Sequence, residues 1–78
     1  MRAVIRDYQK NFFSGLLKKV ILPGEDGELA IWDFHQTIVT RLKKGEIVMQ
    51  LDDLSWRTME IRTGIAKFHH NELVVLCF

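Results

Sequence analysis

Seventy-eight residues with one cysteine and a net charge of +1 leave few options. A chain of this length buries only about 60–65% of the surface its unfolded form exposes, so one small domain of modest stability is expected. Cys77 alone excludes an internal disulfide and the paired ligand spacing of a zinc site. Apolar residues at 47% and charged residues at 27% exclude disorder, and eleven basic against ten acidic residues leave no excess for a polyanion.

The lone thiol fits a reducing, cytosol-like compartment. Residues 1–7, MRAVIRD, lack the apolar stretch of a secretory signal. The longest apolar runs, Val20–Leu22 and Leu73–Phe78, fall far short of the roughly 20 residues a membrane helix needs. A soluble protein is expected, at most working beside a membrane.

In chain order, residues 2–7 read as an opening strand. Phe12–Leu22 reads as a longer one, with Ser14-Gly15 predicting a bulge or bend and with imperfect alternation through Leu17–Leu22. Pro23-Gly24-Glu25-Asp26-Gly27 predicts a turn, because proline fixes φ and glycine permits left-handed backbone. Leu29–Trp32 is a short strand. Asp33–Leu42 is either extended or holds a helical turn, and Lys43-Lys44-Gly45 turns the chain again.

Beyond it, Ile47, Met49 and Leu51 alternate with Glu46, Val48 and Gln50, the period of a half-buried strand. Asp52–Ser55 reverses the chain, and Met59 and Ile61 resume the alternation against Thr58, Glu60 and Arg62. Gly64 breaks or bends the ladder before Ala66 and Phe68. A His70-Asn71 turn leads to the last strand, Leu73–Phe78. About eight close-spaced strands without a helical stripe predict an all-β sandwich or barrel in a single domain, residues 1–78.

Chemistry is hard to find in this pattern. His69 and His70 are neighbours whose rings should leave a strand on opposite sides, so with Glu72 and Cys77 they make a poor metal site. His35 has no evident base or nucleophile beside it. Asp52-Asp53 reads as a pair of solvated turn formers, and Cys77 as a small packed residue. The loop over residues 23–28 lacks the GxxxxGK[ST] spacing, and its acids would repel phosphate. No catalytic group, metal or cofactor is expected, which leaves a binding module. One version is a small nucleic-acid-binding barrel using Trp32, Phe34 and Trp56 with the lysine pairs, yet acids stand beside these rings as often as bases.

Phe13-Ser14-Gly15 (FSG), the run Pro23–Ile31 (PGEDGELAI), Phe34–Leu42, the Lys43-Lys44-Gly45 turn, Thr63-Gly64-Ile65 and the closing Asn71–Leu76 (NELVVL) follow one another in a known order. This series resembles the N-terminal domain of the epsilon subunit of F-type ATP synthases over nearly the whole chain. The resemblance implies a flattened β-sandwich of about ten strands in the central stalk, bridging the gamma subunit and the c-ring on the cytoplasmic side of a bacterial membrane. It implies no chemistry of its own: ion flow is coupled to ATP synthesis through contacts alone.

By the same resemblance, Glu28 of the GELAI run faces the c-ring, with Asp26 assisting, while His35 and Thr40 face gamma. Trp32-Asp33-Phe34 departs from the family's tyrosine-or-leucine, proline and glycine. Trp32 and Phe34 are therefore expected either to cover gamma or to pack into the core. The C-terminal helical hairpin of most relatives, which can inhibit ATP hydrolysis, has no counterpart in these residues.

Overall fold

A computed structural model describes residues 1–78. It contains eight strands: β1 (Arg2–Arg6), β2 (Asn11–Gly24), β3 (Gly27–Trp32), β4 (Ile38–Leu42), β5 (Gly45–Leu51), β6 (Trp56–Ile61), β7 (Gly64–His69) and β8 (Glu72–Cys77). The sequence–structure link is side-chain alternation. Every strand turns an apolar set inward, from Ala3 and Ile5 on β1 to Leu73, Val75 and Cys77 on β8, and no polar side chain is buried. The all-β reading and the single-domain sandwich hold.

Two layers arise from the pairings. In one, β4, β7 and β8 lie side by side, β8 pairs in parallel with β1, and β1 pairs with the first half of β2. In the other, the second half of β2 sits between β3 and β5, with β6 outside β5. β2 is thus the strand that passes from one layer to the other. Its fourteen residues make that possible.

A bulge in β2 explains why its alternation looked imperfect. The buried positions are Phe13 and Leu17, then Val20, Leu22 and Gly24, so the inward parity changes from odd to even. Against β5, Leu17 faces Leu51 while Lys19 faces Gln50, which leaves Lys18 as the extra residue. Such an insertion reverses which side chains face the core and bends the strand. The irregularity predicted at Ser14-Gly15 therefore lies further along, and Gly15 pairs regularly with Ala3.

The turns also differ from the sequence reading. Pro23 and Gly24 still belong to β2 and Gly27 opens β3, so the turn is only Glu25-Asp26. Asp33–Leu42 holds no helical turn: Asp33-Phe34 is a turn and Ile38–Leu42 is strand. His69 and His70 do not diverge. His70 leaves the strand at φ 51°, which brings the two rings to 3.7 Å between centroids, tilted by 33°.

The Met1 ammonium closes one end of the fold. It donates to the Leu17 carbonyl at 2.8 Å and pairs with the Asp33 carboxylate. β1 and the turn after β3 are thereby tied together.

Candidate functional site

The residues expected to meet partners fall into two groups, at opposite ends of β3. Glu28 and Trp32 are four residues apart on this extended strand, a span of about 13 Å.

The first group is the β2–β3 hairpin. Gly24 and Gly27 pair across it, and a side chain at Gly24 would place its Cβ 2.5 Å from the Gly27 carbonyl oxygen. Gly27 itself has φ 135°, a conformation L residues rarely adopt. The two glycines therefore make a tip that only Glu25 and Asp26 occupy, and both are exposed. Glu28 lies in β3 opposite Pro23 rather than in a loop, and is exposed. It borders a shallow depression of about 380 Å³ with Ile21, Pro23, Lys43, Glu46 and Val48.

β4 braces this tip. The Glu25 N–H donates to the Arg41 carbonyl and the Lys43 N–H to the Pro23 carbonyl, each at 2.9 Å. Acids of the hairpin thus stand beside Arg41 and Lys43, so the tip presents a pattern of both signs. Glu28 has no ion-pair partner within the chain. It is free to meet a cation from outside.

The second group surrounds the turn after β3. The His35 N–H donates to the Trp32 carbonyl at 3.1 Å, which closes the turn over Asp33-Phe34. The His35 ring stands edge-on to Trp32 and to the buried Phe68, with centroids 6.0 and 6.2 Å away. Its Nδ1 lies 3.0 Å from the Gln36 carbonyl oxygen. Trp32 is 54% exposed and Phe34 83%, so neither packs into the core.

Thr40 does not join this group. It sits half-buried in the middle of β4 opposite Ala66, its hydroxyl donating to the Arg41 carbonyl at 3.3 Å. It lies between the two ends rather than at either.

Sequence reasoning missed a third surface. On the outer face of the layer containing β4, β7 and β8, Val39, Ile65, Val74 and Leu76 are 38–64% exposed. Register joins them: Arg41, Ile65 and Leu76 form one row, and Val39, Lys67 and Val74 the next. The signal was present as apolar residues at the outward positions of alternating strands.

The other layer's outer face carries Trp32, Lys19, Gln50 and Trp56 in one row. Lys19 is the one basic side chain in that row and Glu28, Glu46 and Glu60 lie at the far end, a mixed pattern rather than a basic groove. Stacking of nucleic-acid bases would need one.

Residues 1–78 match the model of the ATP synthase delta/epsilon chain β-sandwich domain. The chain belongs to this family. It is 35% identical over 68 residues to the ATP synthase epsilon chain of Delftia acidovorans, covering 87% of this chain and 49% of that one. The epsilon chain of Campylobacter jejuni is 36% identical over 64 residues, covering 82% and 50%. That of Chlorobium limicola is 35% identical over 68 residues, covering 87% and 77%. The chain thus spans about half the length of the Delftia and Campylobacter relatives.

The same fold occurs in two solved assemblies. One is the central stalk and c-ring of the Tetrahymena thermophila mitochondrial ATP synthase, with TM-score 0.84 at 13% identity, covering 100% of this chain and 63% of that one. The other is the Euglena gracilis mitochondrial ATP synthase, with TM-score 0.90 at 12% identity, covering 96% and 48%.

Proposed function

We propose that this epsilon-type domain works in the central stalk of an F-type ATP synthase, bridging gamma and the c-ring so that ion movement is coupled to ATP synthesis or hydrolysis. It acts on the cytoplasmic side of a bacterial membrane, held there through its partners, and performs no catalysis itself. The observation that carries this reading is a family match over all of residues 1–78 in a fold whose two candidate contact groups lie at opposite ends of one strand. A coupling part needs two separated contacts on a rigid body. β3, hydrogen-bonded along its length to β2, supplies the rigid link.

In this reading the Glu25–Glu28 end meets the c-ring loops, with Glu28 and Asp26 answering basic groups there. Trp32, Phe34 and His35 meet gamma, with Thr40 set back from them in the middle of β4. An exposed ion pair contributes only about 0–1 kcal/mol, so Glu28 sets register more than affinity. The exposed apolar side chains supply the larger share.

The test is Glu28→Lys in the assembled synthase. ATP-driven ion pumping should drop while the circular dichroism and melting of the isolated chain stay as in wild type. Wild-type pumping in this variant would refute the c-ring role of Glu28.

A further inference from the structure

Phe34 combines two unfavourable features in the free chain. Its ring is 83% exposed, and its backbone has φ 61°. It is the third residue of the turn from Trp32 to His35, the place where a turn of this kind calls for glycine or asparagine. A positive φ in a bulky residue is a genuine outlier, because the Cβ crowds the backbone.

The surrounding chain fixes this conformation from three sides. The Phe34 N–H donates to the Asn71 side-chain oxygen at 2.8 Å, and Asn71 itself sits at φ 59° with its carbonyl accepting the Arg2 N–H at 3.2 Å. The neighbouring Asp33 carboxylate is held by the Met1 ammonium. On the other side, His35 is wedged between Trp32 and Phe68.

Leu54 offers a contrast. It also has positive φ, 70°, but its turn is closed only by local bonds, Leu54 N–H to the Leu51 carbonyl, Leu51 N–H to the Ser55 carbonyl, and Ser55 to Asp53. Phe34 is held by a residue 37 positions away. Strain kept by its surroundings is a mark of pre-organisation for binding.

We infer that Phe34 is an anchor: its ring inserts into an apolar pocket on the partner protein that this end of the domain meets, flanked by Trp32. The inference rests on the stalk reading, so the partner is gamma. A lipid surface would accept a mobile ring in any orientation. A protein pocket rewards one that is fixed.

The two unfavourable features give opposite signs to one substitution. Asparagine tolerates the left-handed conformation and removes the exposed ring. Phe34→Asn should therefore raise the melting temperature of the chain by a few degrees while weakening its binding to purified gamma by about tenfold or more. Phe34→Leu, which keeps an apolar side chain, should bind between the two. Binding is read by titrating gamma into the chain and following heat release.

If wild type binds gamma and Phe34→Asn binds equally well, the anchor is overturned while the stalk reading stands. If wild type itself does not bind gamma, the stalk reading falls and the anchor with it. Phe34-dependent binding to phosphatidylglycerol vesicles, with gamma binding unchanged in Phe34→Asn, would overturn the protein pocket.

Discussion

The side-chain oxygen of Asn71 accepts the backbone N–H of Phe34 at 2.8 Å, which fastens the turn after β3 to the turn between β7 and β8. Both residues have positive φ, a conformation asparagine tolerates and phenylalanine does not, so the Asn71 side chain helps hold Phe34 where its own type would not go. The aromatic end of the domain takes its shape from this contact.

Asn71→Ala should therefore destabilise the chain in two ways. It removes a hydrogen bond, worth about 0.5–1.5 kcal/mol, and it puts a Cβ-bearing residue without asparagine's tolerance at φ 59°, which costs roughly 1–2 kcal/mol. Asn71→Gly restores the backbone freedom and should lose little more than the bond. Urea unfolding of the two variants, compared with wild type, separates these contributions.

Lys18 offers a test of register. Its side chain is exposed and should be dispensable, so Lys18→Ala should change stability by no more than about 0.5 kcal/mol. Deleting Lys18 removes the bulge. Val20 and Leu22, both fully buried, would then be asked to face outward, and the variant should not fold. Proton NMR dispersion distinguishes a folded from an unfolded deletion variant.

Two surface carboxylates give the chain an acid-sensitive component. Hydrogen bonds from the Ser55 hydroxyl and N–H, at 2.6 and 3.0 Å, hold Asp53 below its ordinary value of 3.8. The N–H groups of Gln9 and Lys10, at 2.7 and 2.6 Å, do the same for Asp7. A carboxyl whose folded value is depressed contributes stability that is complete above the unfolded value and lost as the pH falls through the folded one. Both contributions should be constant at neutral pH and disappear below pH 3.8. In thermal melts against pH, Asp7→Asn combined with Asp53→Asn should flatten this acid limb. An unchanged slope would count against these bonds.

The strands were readable because period-2 alternation is written directly in the residues: Ile47, Met49 and Leu51 point inward as their spacing implies, and so do Met59 and Ile61. The β2 bulge could not be placed from β2 alone. Whether Gly15 or Lys18 is the extra residue depends on what β1 sets opposite Gly15 and what β5 sets on either side of Lys18, and those are long-range facts. The tight hairpin was legible in its glycines, although pairing draws Pro23 and Gly24 into the strand. Phe34 was not legible as a left-handed residue, since phenylalanine has no preference for that conformation. Its hold comes from Asn71, across the fold. The patch of Val39, Ile65, Val74 and Leu76 was present as apolar residues at outward positions, but only the register of β4, β7 and β8 shows that they adjoin.

Gamma binding is the most direct measure of the stalk assignment. The purified chain is mixed at micromolar concentration with the gamma subunit of the same synthase and passed over a size-exclusion column. A discrete complex eluting ahead of either component is the predicted result. Two separate peaks, with the 78-residue chain at its own elution volume, would contradict the assignment.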